Sequence, residues 1–195
     1  METKYKSLYQ YFNQIYSIDE TDFEILIPCF QKIKRKKLDF LVRESEVSRY
    51  LYFVESGLVR AFYFHEEKEI TTWFTFENDI AGSFESAVER NPSKESLQVM
   101  LDSELTKIDY HAFKEYSLRS ETLTKLLIRL FENAYMRMEN RVTFIQHSSA
   151  KVRLKELILN EPHILRDVPH FYVASYLAIS PETLSRLVKQ VFKNA

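Results

Sequence analysis

His170-Phe171-Tyr172-Val173-Ala174-Ser175-Tyr176-Leu177-Ala178-Ile179-Ser180-Pro181-Glu182-Thr183-Leu184-Ser185-Arg186-Leu187-Val188-Lys189 is the stretch on which the reading of this chain turns. It reads as two short helices joined by a tight turn. Val173 and Leu177 stand four apart on one face of the first, beside Ala174, whose small side chain admits a close neighbour. Leu184, Leu187 and Val188 repeat the helical spacing in the second, and Ile179 is the apolar plug between them. Ser180-Pro181-Glu182 is a helix start: a hydroxyl to cap free amides, a proline suited to the first helical position, and an acid at the positive end of the dipole. This is the layout of a helix-turn-helix, with Ala178 where such turns often carry glycine. Its polar face holds Ser180, Glu182, Thr183, Ser185, Arg186 and Lys189. Arginine can bond a guanine edge with two donors, glutamate can accept from cytosine, and hydroxyls serve bases or phosphates. The plainer alternative is a capped surface helix in a helical hairpin.

The 195 residues suit one large or two small domains, and 45% hydrophobic with 28% charged content describes a soluble globular chain. The net charge of −1 gives no general affinity for polyanions, but the charge is uneven. From Arg137 onward nine Lys/Arg face five acids, a basic tail on an acidic remainder. The single cysteine, Cys29, excludes an internal disulfide and a cysteine-held cluster, and a cytoplasmic setting fits. No apolar run reaches the roughly 18 residues needed to span a bilayer, so no membrane partner is expected.

Working back toward the N-terminus, His147-Ser148-Ser149 breaks a helical pattern on either side of it and is the natural hinge. Ahead of it lies a long helix over about residues 118–146, roughly 40 Å at 1.5 Å per residue. Its stripe of Leu123, Leu127, Phe131, Ala134, Met138 and Ile145, with one polar interruption at Arg141, predicts a seam between two copies of the chain. Residues 38–110 change texture to short aromatic and β-branched runs: 51–54, 58–64, 70–76, 97–101 and 105–110. They predict a sandwich or jelly roll, with Gly57 ending one strand and starting the next at positive φ. Residues 5–16 read as an amphipathic helix, and Asp19 as the cap of a second, short one. Lys32, Lys34, Arg35, Lys36 and Lys37 look like a nucleic-acid patch, although such a run is more often a solvated strand or turn.

Helix, β-roll, long helix and helix-turn-helix, in that order, resemble the Crp/Fnr superfamily of bacterial transcription regulators over nearly the full length. Leu51-Tyr52-Phe53-Val54-Glu55-Ser56-Gly57-Leu58-Val59-Arg60 is similar to that family's strand–glycine–strand signature. Ser149-Ala150-Lys151-Val152-Arg153-Leu154 is similar to its helix after the hinge, and 173–186 to its reading motif. The resemblance implies an α+β chain with three parts. These are a cyclic-nucleotide-binding-type β-roll with flanking helices at 1–117, a dimerisation helix at 118–146, and a helix-turn-helix domain at 147–195. The wing is expected to be absent or truncated, since the sequence ends just after the reading helix.

Glu182 and Arg186 match base-contacting positions of the family, whereas Pro181 stands where many members carry arginine. The effector segment of the roll corresponds to Gly82, Ser83, Glu85, Lys94 and Ser96. It lacks the family's phosphate-binding Arg-Ser or Arg-Thr pair, and Glu95 sits where a cyclic phosphate would meet a negative charge. The implied partners are double-stranded DNA, a second copy of the chain, RNA polymerase and an unidentified small-molecule effector, with no cofactor. The alternative is a cyclic-nucleotide or small-ligand module whose helical tail binds protein rather than DNA. Enzymatic signatures are missing: there is no phosphate loop, no metal-spaced His/Cys cluster and no nucleophile elbow, and the five histidines are scattered.

Overall fold

The computed structural model describes residues 3–193. Helix α1 (Lys6–Ile15) buries Leu8 and Phe12 from its apolar stripe. Helix α2 (Glu20–Leu26) starts at Asp19, whose carboxylate accepts the Asp22 amide at 2.8 Å. Strands β1 (Phe30–Arg35), β2 (Phe40–Val42), β3 (Tyr50–His65), β4 (Lys68–Thr75) and β5 (Asp79–Ala81) lead to helix α3 (Phe84–Glu89) and strand β6 (Ser96–Asp109). Helices follow to the end: α4 (Tyr110–Ser117), α5 (Glu121–His147), α6 (Ala150–Asn160), α7 (Ile164–Asp167), α8 (His170–Tyr176) and α9 (Pro181–Lys193). The result is a mixed α/β chain with a six-stranded, jelly-roll-like sheet in the order β1-β6-β3-β4. β1 and β2 both pair antiparallel with β6, and β5 pairs antiparallel with β3.

The chain divides into two compact units, the first comprising the chain up to Ala61 with Phe74–Ala134, the second Phe62–Trp73 with the chain from Tyr135 onward. The division differs from the segments 1–117, 118–146 and 147–195, because α5 contributes to both units and so does the β3–β4 hairpin. The core of the first unit is aromatic: Phe12, Phe23, Phe30 and Phe113 pack with ring centroids 5.7–6.4 Å apart. Leu123, Leu126 and Leu127 of α5 close over this cluster.

The strands differ in extent from the sequence runs. The runs 51–54 and 58–64 are one strand, β3, and 97–101 and 105–110 merge into β6. Gly57 therefore lies inside a strand, with φ +103° as expected. A Cβ there would fall 2.9 Å from the Ser103 Cα of β6, so only glycine allows this close approach of the two strands. The lysine run takes the plainer of its two readings: it is the edge strand β1 and the residues just past its end, and three of its cations have acidic partners, Lys32 with Glu55 at 2.5 Å, Lys34 with Glu104 at 2.5 Å and Lys36 with Asp102 at 2.7 Å. A ladder neutralised in this way is the solvated strand rather than the polyanion patch. The segment after β5 contains a short helix, α3, that the sequence runs do not mark. The wing, absent or truncated by expectation, lies outside the described residues.

Candidate functional site

The exposed side of α9 is assembled by its start. Ser180 Oγ accepts the Thr183 amide at 3.2 Å and lies 3.2 Å from the Thr183 hydroxyl. Its bond to Glu182, with a backbone bond, holds the Glu182 carboxyl below the usual carboxylate range, so the residue stays ionised. Leu184 is fully buried and Leu187 nearly so, and they seat the helix against its neighbours. The opposite face is left to solvent, where Pro181, Glu182, Ser185, Arg186, Lys189 and Gln190 line one open depression. Of the six residues expected to read DNA, Glu182, Ser185, Arg186 and Lys189 stand together there. Ser180 is engaged in the cap, and Thr183 is half-buried beside it. Gln190 joins the face and was not anticipated; it lies one turn beyond Arg186, which is the signal that could have found it. Arg186 and Lys189 form no ion pair among the described residues, so both charges are presented outward.

The candidate effector segment is arranged differently from expectation. Ser83, Ser86, Ser93 and Ser96 are all buried. Ser93 Oγ lies 2.8 Å from Ser83 Oγ and 2.6 Å from the Glu95 carbonyl oxygen. Ser86 Oγ accepts the Ser48 amide at 2.8 Å and donates to the Asn91 carbonyl at 2.5 Å. Ser96 Oγ accepts the Glu44 amide at 2.9 Å. Glu85 and Lys94 pair with each other at 2.6 Å on the exposed surface. Neither charge therefore turns inward toward a ligand, and the serines hold the loop to its own backbone. Gly82 packs close to Leu51. A charged group that sequence reading left unassigned is buried in the same unit. The Arg60 guanidinium, on β3, is completely enclosed and donates Nη2 to Gln98 Oε1 at 3.3 Å.

Along α5 the expected seam is redrawn. Leu123 and Leu127 sit in the core of the first unit, and Ala134 and Ile145 are half-buried. Besides Met136, the exposed apolar residues are Ile128 (51%), Phe131 (40%), Tyr135 (67%), Met138 (61%) and Val142 (51%). Their spacing of three and four, continued by Ile145, is that of the a and d positions of a coiled coil. Arg141, the polar interruption, leaves the stripe altogether: it stacks 3.8 Å from the Tyr176 ring centroid and donates to the Tyr176 carbonyl at 2.5 Å. Burial lowers its pKa from the ordinary arginine value, with Tyr176 opposing that shift and Arg153 adding to it.

Among the described residues no group of acidic, histidine and cysteine side chains could hold a metal ion, and no helix is long and apolar enough to cross a membrane. Burial pushes the Cys29 thiol up to about 12, which leaves it protonated and unreactive at neutral pH.

No curated protein matches the chain in sequence. Among solved structures it is similar to FixK2 from Bradyrhizobium japonicum, at 16% identity and TM-score 0.71 over 85% of both chains. It is similar to the c-di-GMP-responsive global regulator CLP of Xanthomonas campestris, at 15% identity and TM-score 0.63, covering 90% of this chain and 93% of that one. A third likeness is to the catabolite activator protein of Thermus thermophilus, at 18% identity and TM-score 0.55, covering 92% of this chain and 86% of the other. At such identities the likeness is one of fold. Residues 32–120 match the family model of the cyclic nucleotide-binding domain, and the chain shares its fold with the regulators above.

Proposed function

We propose that this protein is a sequence-specific DNA-binding transcription regulator that works as a parallel homodimer and reads an inverted repeat. The observation that carries the reading is the outward face of α9. A capped helix presents Glu182, Ser185, Arg186, Lys189 and Gln190 together to solvent, with neither cation in an ion pair among the described residues. Arg186 has the donor geometry for a guanine edge, Lys189 suits a phosphate, and Gln190 extends the face by one turn. The heptad of Ile128, Phe131, Tyr135, Met138, Val142 and Ile145 supports the two-fold assembly, because an exposed apolar seam of that period is covered by an equivalent helix. Such a dimer places its reading helices about 10 bp apart, one helical turn. RNA polymerase is the partner through which such a regulator acts on transcription. The work required is recognition and assembly, with no catalytic step.

The match of residues 32–120 favours a second reading, a ligand-binding module whose helical tail engages protein. The engaged serines and the outward Glu85–Lys94 pair argue that its ligand is not a cyclic nucleotide. A buried phosphate needs a paired cation, and neither Lys94 nor a neighbouring arginine of that loop is turned to supply one. Selection of duplexes from a random library by the purified protein separates the two readings. Enrichment of an inverted repeat, with affinity falling steeply as salt rises, supports the regulator. Failure to enrich any sequence rejects it.

A further inference from the structure

The last turn of α8 is held from three directions within the second unit. Ser175 Oγ accepts the Thr71 amide at 2.9 Å and donates to the Glu69 carbonyl at 3.4 Å, both on β4 near the hairpin end. One residue on, the Tyr176 carbonyl and ring are both taken by Arg141 from α5. The next carbonyl, that of Leu177, accepts Arg153 Nε from α6 at 2.9 Å, and the same guanidinium reaches the carbonyls of Ile145 at 3.3 Å and of Ser148. Trp73, also on β4, lies 5.4 Å from the Arg137 guanidinium of α5. Carbonyls at a helix end have no partner within the helix and are ordinarily left to water or a cap. Here two arginines take up that role for Tyr176 and Leu177, while β4 holds the Ser175 hydroxyl, immediately before the turn that aims α9.

The grip has an opposing cost. Thr71 Oγ1 and Arg141 Nη1 are buried without a hydrogen-bond partner, and both belong to residues that hold the α8 terminus. Opening the clamp would let water reach both atoms. The turn itself has little freedom to absorb a change, since Ala178 already adopts φ +51° and Leu177 is fully buried.

We propose that Ser175 and Arg141 are positioning residues for DNA reading. They fix the α8 terminus against β4 and α5 and thereby set how α9 is presented. The inference rests on the reading of α9 as the DNA-contacting helix. Neither residue lies on the reading face, so neither touches a base or a phosphate directly. Both act through the direction of the following helix.

The test uses the full chain and, as probe, a duplex of about 30 bp enriched from a random library by the unaltered protein, together with versions whose half-sites are moved apart by about two base pairs. Ser175→Ala and Arg141→Met are expected to weaken binding about 3- to 30-fold, the range of coupling through a non-contacting residue. They should also lose the penalty that the unaltered protein shows for altered spacing. Ser175→Thr, which keeps the hydroxyl, restores both. Trp73 is the only tryptophan of the chain, so its emission reports the clamp independently of DNA. The emission shifts in Ser175→Ala and returns in Ser175→Thr. Variants that keep full affinity and the spacing penalty overturn the positioning role while leaving the DNA reading intact. An unaltered protein that enriches no duplex overturns the DNA reading, and the positioning role falls with it.

Discussion

Replacing Met138 by aspartate probes the seam at one of its exposed apolar positions. Met138 leaves 61% of its surface open. Full burial of a methionine contributes about 1.5–3 kcal/mol, so covering what remains contributes about 1–2 kcal/mol per copy. A two-fold seam uses the residue twice, for about 2–4 kcal/mol per dimer. Aspartate forfeits that contribution and sets two carboxylates in one apolar layer, each losing water with no cation opposite. The dissociation constant of the dimer should therefore rise by at least about 30- to 1,000-fold. Sedimentation velocity over a concentration series measures it, and the folded monomer should keep the circular dichroism of the unaltered chain. Leu123 supplies the contrast. It is fully buried in the aromatic core, so Leu123→Ala should cost about 2–5 kcal/mol of unfolding free energy and leave association unchanged. The reasoning is refuted if Met138→Asp dimerises as tightly as the unaltered protein, or if the unaltered protein is a monomer at micromolar concentration.

Arg186→Ala is expected to cost about 1–3 kcal/mol of specific binding and relax preference at one base pair per half-site, while Lys189→Ala weakens all sequences alike and flattens the salt slope; gel-shift titrations at several salt concentrations distinguish them. Cyclic AMP and cyclic GMP should bind weakly or not at all, and saturable heat at low micromolar concentration in titration calorimetry would restore a nucleotide switch. The Cys29 thiol is raised from 9.0 to about 12 and the Tyr52 hydroxyl from 10.0 to about 12, both chiefly by burial. Both groups hold their protons more tightly when folded, so the associated stability is complete below pH 9 and is lost as pH climbs toward 12; urea midpoints should fall across that window, less steeply in Cys29→Ala. Ala178→Gly relieves a left-handed residue at φ +51°, a strain of about 1–2 kcal/mol offset by about 0.4–1 kcal/mol of unfolded-chain entropy. A net gain of about 0.5–1 kcal/mol in thermal or urea denaturation is expected, and a loss would contradict the strain assigned to the turn.

What could be read ahead of the structure is local. Asp19, Ser149 and Ser180 each cap a helix by accepting the amide three residues on, a relation contained within four consecutive residues. The stripe of α1 and the long helix α5 follow from period alone. Partners distant in sequence were out of reach. Periodicity marks Leu123 and Leu127 as apolar, but not whether an aromatic core or a second copy covers them. Arg141 looks like a flaw in a stripe until the carbonyl of Tyr176, 35 residues on, accepts its N–H. Asp102-Ser103-Glu104 reads as a connector because its alternation is that of an exposed turn, and only the pairing with β1 makes it strand. The same distance hid the acids opposite the lysines and the enclosure of Arg60. In the candidate effector segment the residue types were legible, but the direction of Glu85 and Lys94 was not. That direction depends on a contact across the α3 loop.

The lysines of β1 have a consequence for how this molecule behaves in a crowd. β1 is the last strand of its sheet, and a last strand offers a row of backbone groups to which any extended segment could add. Lys34 on β1 and Lys36 just past its end each leave 82% of the side chain in solvent even while paired with Glu104 and Asp102. A strand arriving from another molecule must strip water from those ammonium groups or displace acids already bonded to them. If that strand is another β1, it brings a second file of like charge. At the other end, the Tyr5 hydroxyl already occupies the Phe30 carbonyl. An aromatic-rich sheet that emerges from the ribosome before its long helix is complete therefore carries its own protection against polymerising edge to edge.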